Sequence, residues 1–371
     1  MAKVIVVGGG PSGIMAAISA AKQNHSVTLI ERNEFLGKKL KLTGGGRCNI
    51  TNNRYIEDFF DKVVNNNKFL YSSFYSFSNY DLLDYLSSIG VEYKIEEEND
   101  SKVYTKNDKA LDLINSLEND LRDKNVNIIY NTKVTDLIVE DEKIKGVVVT
   151  SEENEKSEVL YAYKVILSTG GKSYAHTGSD GSMYQVLEKH GHTITKTLPA
   201  LCPLKTAETW VKNLQGISMR NVKISTKLKK KKISKCGDMI FTHFGVSGPL
   251  ILSGSRFVKE GEEYTLTIDL KPALEIQELD KRVQRDFQKY INKDFKNSLD
   301  ELLPKKLIPV IIKMSNISEN KKVNEITKEE RKTLVNLIKN LSMKISGLRS
   351  LTEAIVTSGG VDTKEIDPST M

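Results

Sequence analysis

The chain has 371 residues, of which 39% are hydrophobic, enough to bury a sizeable core and to divide into two or three domains. Lys and Arg number 55 against 48 Asp and Glu, and the net charge of +7 is too small an excess to mark a dedicated nucleic-acid binder. No apolar run approaches a membrane span, the first strand begins too early to leave room for a signal peptide, and the three widely spaced cysteines Cys48, Cys202 and Cys236 argue against a disulfide framework or a zinc site, so the expectation is a cytoplasmic protein.

Val4 to Val7 is a short apolar run that reads as a buried parallel strand. Gly8-Gly9-Gly10-Pro11-Ser12-Gly13 follows and fits G-x-G-x-x-G, and Ile14, Ala17, Ile18 and Ala21 then recur at helical spacing. In that setting Gly8 turns the chain out of the strand, Gly10 admits a pyrophosphate close to the backbone, and Gly13 lets helix and sheet pack closely. The free N–H groups at the helix start face the anion. A second strand, Ser26 to Ile30, ends in Glu31, 31 − 13 = 18 residues past Gly13, where an acid accepts hydrogen bonds from a ribose diol. The same acid repels a 2′-phosphate, which favours FAD or NAD over NADP. A glycine turn in an ordinary βαβ unit is the competing reading, and it leaves the agreement of strand, glycines, helix and acid unexplained.

A second glycine loop, Gly37-Lys38-Lys39-Leu40-Lys41-Leu42-Thr43-Gly44-Gly45-Gly46-Arg47-Cys48-Asn49-Ile50-Thr51-Asn52, strips side chains from a place where a flat ligand can approach. Lys38, Lys39 and Arg47 are placed to balance pyrophosphate charge, and Asn49 and Thr51 add neutral hydrogen-bonding groups. Helices are predicted near 68–89 and 108–124, a strand over 126–130, and a hairpin from 134–140 and 145–150 with DEKIKG (141–146) as its turn. A strand at 164–168 runs into Thr169-Gly170-Gly171, and a helix follows over 181–190.

From about 192 to 270 the pattern becomes β-rich, with strands near 222–228, 239–242 and 264–270, consistent with a small barrel. KLKKKKISK (227–235) reads as a solvated hairpin tip rather than a phosphate-contacting patch, because no aromatic residues interleave. Amphipathic helices dominate 275–347, with Ser298-x-x-Glu301 and Thr327-x-x-Glu330 as capping boxes and Pro304 and Pro309 as punctuation. EAIVTSGGV (353–361) reads as a return to the nucleotide-binding domain.

GKKLKLTGGGRCNITN beside an N-terminal VVGGGPSG resembles the HI0933-like flavoprotein family, also described as aminoacetone-oxidase-type or BaiN-type. ILSTGGKSYAHTGSDG (166–181), LPALCPL (198–204), GDMIFTHFGVSGPLIL (237–252) and EAIVTSGGV extend the resemblance over essentially the whole chain. It implies an α/β fold: an FAD-binding, Rossmann-like domain of the glutathione-reductase type over 1–191 and 351–371, an inserted β-barrel domain over 192–273 and 340–350, and an inserted helical domain over 274–339. It implies FAD as prosthetic group. Carried over, Gly8, Gly10, Ser12 and Gly13 hold the pyrophosphate and Glu31, with Arg32 beside it, holds the adenosine ribose. Lys38, Lys39, Gly46 and Asn49 line the route to the flavin, Val134 offers backbone contacts to adenine, Thr169 and Gly170 make a second backbone approach, and Gly359 and Gly360 return to the flavin region. Family members usually continue after a segment like EIDPSTM into a strand, a GLYFAGE-like stretch and another glycine loop; this sequence stops at Met371, and the expectation is that it holds FAD weakly.

Flavin carries the redox chemistry, so no nucleophilic triad is expected. Cys48 has no C-x-x-C partner and reads as a packing or backbone residue. His243, in THFGVSGP, is the catalytic candidate, a general acid for a substrate atom; a structural hydrogen bond fixing the turn is an equal reading. His176 and Tyr174 come after it, while His25, His190 and His192 read as surface or helix-end residues. The expected function is an FAD-dependent oxidoreductase acting on a small organic substrate, with NAD(P)H-linked reduction of an activated C=C bond placed ahead of aminoacetone-like amine oxidation by O2. A tRNA-modifying role and a non-catalytic flavin-binding role stand behind these, and no residue separates the leading two.

Overall fold

The opening βαβ unit forms as its pattern requires: β1 (Lys3–Val7), α1 (Pro11–Lys22) and β2 (Ser26–Ile30). Val4 and Val6 face one hydrophobic core with Ile14, Ala17 and Ile18, while Ile5 and Val7 face another with Val134, Val147 and Met183. A strand buried on both faces needs an unbroken apolar run, which is what this stretch provides. The computed structural model describes residues 1–151, 156–228, 231–259 and 261–371. They divide into two units, Met1–Leu198 with Thr357–Met371, and Pro199–Val356.

In the first unit, β3 (Asn49–Asn52) is followed by the short helices α2 (Ile56–Phe60), α3 (Tyr71–Ser76) and α4 (Asn79–Ser88). It pairs with β5 (Lys102–Thr105), which also pairs with β4 (Tyr93–Glu96), in a small antiparallel sheet the sequence pattern does not announce. The helix expected over 68–89 is broken: Phe77 is extended, and Ser78 caps a new helix in a reciprocal box with Asp81. After α5 (Ala110–Asp123) come β6 (Asn127–Ile129), the meander β7 (Thr132–Glu140), β8 (Lys143–Ser151) and β9 (Ser157–Tyr161), then β10 (Lys164–Leu167), α6 (Ser182–Lys189) and β11 (Ile194–Ala200). The β7–β8 turn is only Asp141-Glu142, both at positive φ (50° and 58°), the sign a tight two-residue hairpin turn needs. The central sheet is parallel in the order β10-β1-β2-β6.

The second unit holds a closed barrel, β12-β15-β14-β13-β16-β17. Its strands are β12 (Leu204–Thr206), β13 (Ser218–Leu228), β14 (Lys231–Thr242), β15 (Gly245–Ser247), β16 (Tyr264–Asp269) and β17 (Leu341–Leu348). The helices are α7 (Pro249–Ser255), α8 (Ile276–Lys289), α9 (Ile308–Ser315) and α10 (Lys328–Lys339). Val222, Phe241, Ile268 and Met343 of the barrel share one hydrophobic core with Leu279, Val283, Ile311 and Leu334 of the helices. Barrel and helices thus share one core within the second unit, and the resemblance gives them as separate domains over 192–273 with 340–350 and over 274–339. Thr327 and Glu330 make the expected capping box. Ser298 does not: it is buried and donates to the Phe295 carbonyl (2.8 Å), and Glu301 pairs with Lys289 and Tyr290 instead. Of the lysine run, Lys227 and Lys232 face each other across β13 and β14; Lys229, Lys230 and the Lys231 side chain lie outside the described residues. The last strand, β18 (Val356–Val361), pairs with β11.

Candidate functional site

The strand order of the central sheet reverses between β1 and β10, and a glycine loop leaves the carboxyl end of each. In open α/β sheets this is where ligands bind. Gly8 (φ +103°) donates to the Ile30 carbonyl at 2.8 Å, and a Cβ on it would lie 2.5 Å from the Ser168 carbonyl oxygen and 3.3 Å from Thr169 Cα. A Cβ on Gly13 would lie 1.8 Å from the Gly8 carbonyl oxygen. Packing of the protein alone thus demands glycine at both positions. Gly10 is different: its φ is −77°, and a Cβ there would meet no described protein atom within 4 Å apart from its own chain neighbours. Beside it, α1 starts with Pro11, carries no side-chain cap and has no acid in its first turn, and Ser12 is exposed. The N–H groups of that turn are left for an anion. These features fit a dinucleotide pyrophosphate.

Glu31 is 6% exposed and points back into the glycine loop. It accepts from the Gly9 N–H (2.6 Å), the Asn33 N–H (2.8 Å) and Asn33 Nδ2 (2.5 Å). A carboxylate has about four acceptor positions, so one stays open to a ribose hydroxyl. Arg32 donates to Asp180 (2.7 Å) and to the Gly178 carbonyl (3.2 Å). Burial opposes the Asp180 charge, but Arg32 and the Ser182 N–H hold its carboxyl well below the usual range. Lys38 donates to Asn33 Oδ1 (2.9 Å) and Lys39 to the Ser173 carbonyl (2.9 Å), with burial lowering the Lys39 pKa. Arg32, Asn33, Lys38, Asn131 and His176 line a polar cavity of about 370 Å³.

Gly44, Gly45 and Gly46 take positive φ in succession (60°, 71° and 92°), a backbone that side-chain-bearing residues rarely sustain. Arg47 does not face this loop's open side as a pyrophosphate counter-charge. Its Nε donates to Asp108 (2.7 Å), its Nη2 pairs with Glu96, and its guanidinium lies 4.0 Å from the Tyr104 ring centroid. Thr105 Oγ1 donates to its carbonyl (3.2 Å). Arg47 is therefore the clasp between the glycine loop and the β4–β5 hairpin. Cys48 is fully buried in the core with its thiol pKa raised by that burial, the reverse of a reactive thiolate. Asn49 opens β3 and is exposed, with its backbone nitrogen 3.1 Å from where a Cβ on Gly44 would lie.

Val134 is buried in β7 opposite Val149, so its side chain belongs to the core. Thr169 abuts Gly8, while Gly170 (φ +73°) packs against Ser179. Gly359 and Gly360 are packed against Lys196 of β11 and Tyr184 of α6, not against the Gly8 loop. The link between the tail and the second glycine motif is Thr357, whose Oγ1 accepts from the Lys172 N–H at 2.8 Å and stands where a Cβ on Gly171 would fall. His243 sits in the turn between β14 and β15, exposed and edge-on to Phe244 (4.9 Å), which lies under the Arg349 guanidinium (4.2 Å). Among the described residues its ring makes no hydrogen bond. His190 pairs with Asp136 (3.1 Å) and His192 with Glu365 (3.0 Å). Asn33, Asp108 and Asp180 were not legible as site residues, because each gains its place from a partner in another element.

The chain matches the HI0933-like protein Rossmann domain over residues 2–371. It belongs to this family of FAD-binding, Rossmann-type oxidoreductases. It is similar to the 3-dehydro-bile acid delta(4,6)-reductase of Clostridium scindens, at 29% identity over 100% of this chain and 89% of that one. It is also similar to the ribosomal RNA dihydrouridine synthase of Haemophilus influenzae, at 28% identity over 99% of this chain and 88% of that one. A solved 3-ketosteroid-delta4-(5alpha)-dehydrogenase of Rhodococcus jostii covers 97% of this chain and 84% of its own, at 14% identity and a TM-score of 0.47.

Proposed function

We propose that this chain is an FAD-dependent reductase that saturates a carbon–carbon double bond conjugated to a carbonyl, with NAD(P)H as electron donor. The observation that carries the cofactor is the pair of glycine loops at the reversal of strand order, with Gly10 needing glycine for no contact within the protein. The bond type rests on the two relatives. A 3-oxo steroid with delta(4,6) unsaturation and the uracil ring of uridine both present a C=C bond conjugated to C=O, and both named reactions saturate it. Bound FAD would supply the two-electron transfer. The chain's own part is to anchor the pyrophosphate at Gly10, Ser12 and the α1 N-terminus, to present Glu31 to the ribose, and to hold the Gly44–Gly46 loop through Arg47. His243, whose ring makes no hydrogen bond among the described residues, is the proposed proton donor to the carbon that does not receive hydride.

A ribosomal RNA substrate is the second reading, favoured by the dihydrouridine synthase relatives. The FAD-loaded protein is mixed anaerobically with NADH or NADPH and offered a cyclic enone or undermodified ribosomal RNA, and is separately given aminoacetone in air without a nicotinamide. Saturated enone supports the leading reading and dihydrouridine in the RNA supports the second. Turnover with aminoacetone and O2 alone overturns both.

A further inference from the structure

A lysine drawn into a protein ordinarily pairs its ammonium with an acid or reaches water with it. Lys271 is drawn in without an acid. It follows β16 and opens the turn into α8, where its carbonyl accepts from the Leu274 N–H at 3.1 Å. The residue is half-buried, and among the described residues its Nζ has no hydrogen-bond or ion-pair partner. The acids on the neighbouring elements are committed elsewhere. Asp269 of β16 takes Lys339 Nζ at 2.6 Å and the Lys271 N–H at 2.9 Å. At α8, Glu275 and Glu278 close the capping box, Asp280 holds Arg331 at 2.8 Å, and Asp286 holds Arg282 Nε at 3.0 Å.

The other charged neighbours are cations. Lys339 of α10 donates to Asp269, to the Lys271 carbonyl (3.1 Å) and to the Leu274 carbonyl (2.6 Å), which pins an ammonium against the same turn. Lys223 stands opposite Asp269 in the β13–β16 register. Burial first, and then the charge of Arg282, push the Lys271 amine below the usual lysine value. An unpaired ammonium among like charges is disfavoured, and a neutral amine is a nucleophile. We propose that Lys271 binds CO2 reversibly as a carbamate. The nitrogen lone pair forms an N–C bond to the CO2 carbon, one C=O π pair moves onto oxygen, and a proton leaves nitrogen for water. One amine and one CO2 thus give one carbamate anion and one proton, with no change of oxidation state. The anion then stands where an ammonium has no partner, in the field of Arg282 and Lys339, both of which keep their present bonds. The site lies within the second unit and is independent of the flavin reading.

The test equilibrates the 371-residue chain, supplemented with FAD, with carbon-13-labelled bicarbonate and CO2 at about pH 8, where an ordinary lysine amine is almost wholly charged. The N-terminal amine ordinarily titrates near pH 8, so it forms a carbamate under the same conditions and serves as the internal reference. Carbon-13 NMR is expected to show two carbamate signals. Trapping with a trialkyloxonium salt, followed by peptide mapping, should place the alkylated carbamates at Met1 and Lys271. Lys271→Arg keeps the positive charge and removes the nucleophile, so it should abolish one signal and leave the other. Trace acetylation of the unsubstituted protein across the pH range gives a readout that needs no variant: as pH falls, Lys271 should stay reactive after the exposed lysines have lost reactivity. A carbamate at Met1 alone, carbamates spread over several lysines, both signals retained in Lys271→Arg, or a Lys271 that follows the exposed lysines in acetylation each overturns the proposal.

Discussion

A methyl group added at Gly13 would lie 1.8 Å from the Gly8 carbonyl oxygen, and that atom is backbone. Gly13→Ala must therefore move the loop or the helix, and chemical denaturation without FAD should show a loss of about 1–3 kcal/mol. A variant as stable as the parent would mean that the loop and α1 do not pack as described. Arg47 makes a different case. Its guanidinium is a third exposed, and ion pairs of that kind contribute little to stability, so Arg47→Ala should barely change it. It should instead loosen the glycine loop and weaken FAD by roughly tenfold, and Arg47→Lys should rescue little, because an ammonium cannot bridge two carboxylates and stack on Tyr104 as a planar guanidinium does. Full FAD affinity in Arg47→Ala would leave Arg47 with no role in holding the loop.

Asp136 of β7 meets Lys189 and His190 at the C-terminal end of α6. The hydrogen bond with Lys189 is the main cause of its depressed pKa, held at about 2 against some burial. A carboxylate with a lowered folded pKa stabilises the fold above its unfolded value, about 3.9, and loses that contribution as pH falls through the folded value. Thermal melts should therefore show Asp136→Asn below the parent at neutral pH, with the gap closing between about pH 4 and pH 2. A gap that persists below pH 2 would place the effect in packing rather than charge.

Local pattern made some elements readable and left others hidden. β1, α1 and β2 were legible because each has its own apolar period and its own glycine or acid at the end. The β3–β5 sheet was not: its strands are four residues each, and Asn49 to Asn52 reads equally well as the tail of a glycine loop. Ser298-x-x-Glu301 has the letters of a capping box, but burial of Ser298 and the pull of Lys289 and Tyr290 on Glu301 decide otherwise. Closure of the barrel joins β12 to β17 across most of the second unit, a non-local pairing that no window of sequence contains. The glycines of the site were readable for the same reason as β1, whereas Arg47 was misread because its partners, Glu96 and Asp108, lie in segments with no motif.

Across the whole molecule, the two readings of substrate differ in how charge enters. Binding of RNA by a chain of net charge +7 falls steeply with salt through counterion release, while turnover of a small neutral enone has no such term. Enone reduction should change little between about 50 and 200 mM salt, and a steep loss over that range would favour the RNA reading. Either substrate requires the same cofactor site. The direct measurement is an equilibrium titration of the 371-residue chain with FAD, the parent beside Gly10→Ala, each also melted without FAD. The account predicts one FAD per parent chain, affinity reduced at least about tenfold in Gly10→Ala, and identical melting temperatures, because the added methyl meets no described protein atom within 4 Å apart from its chain neighbours. Equal FAD binding by the two proteins, or none by the parent, would contradict it.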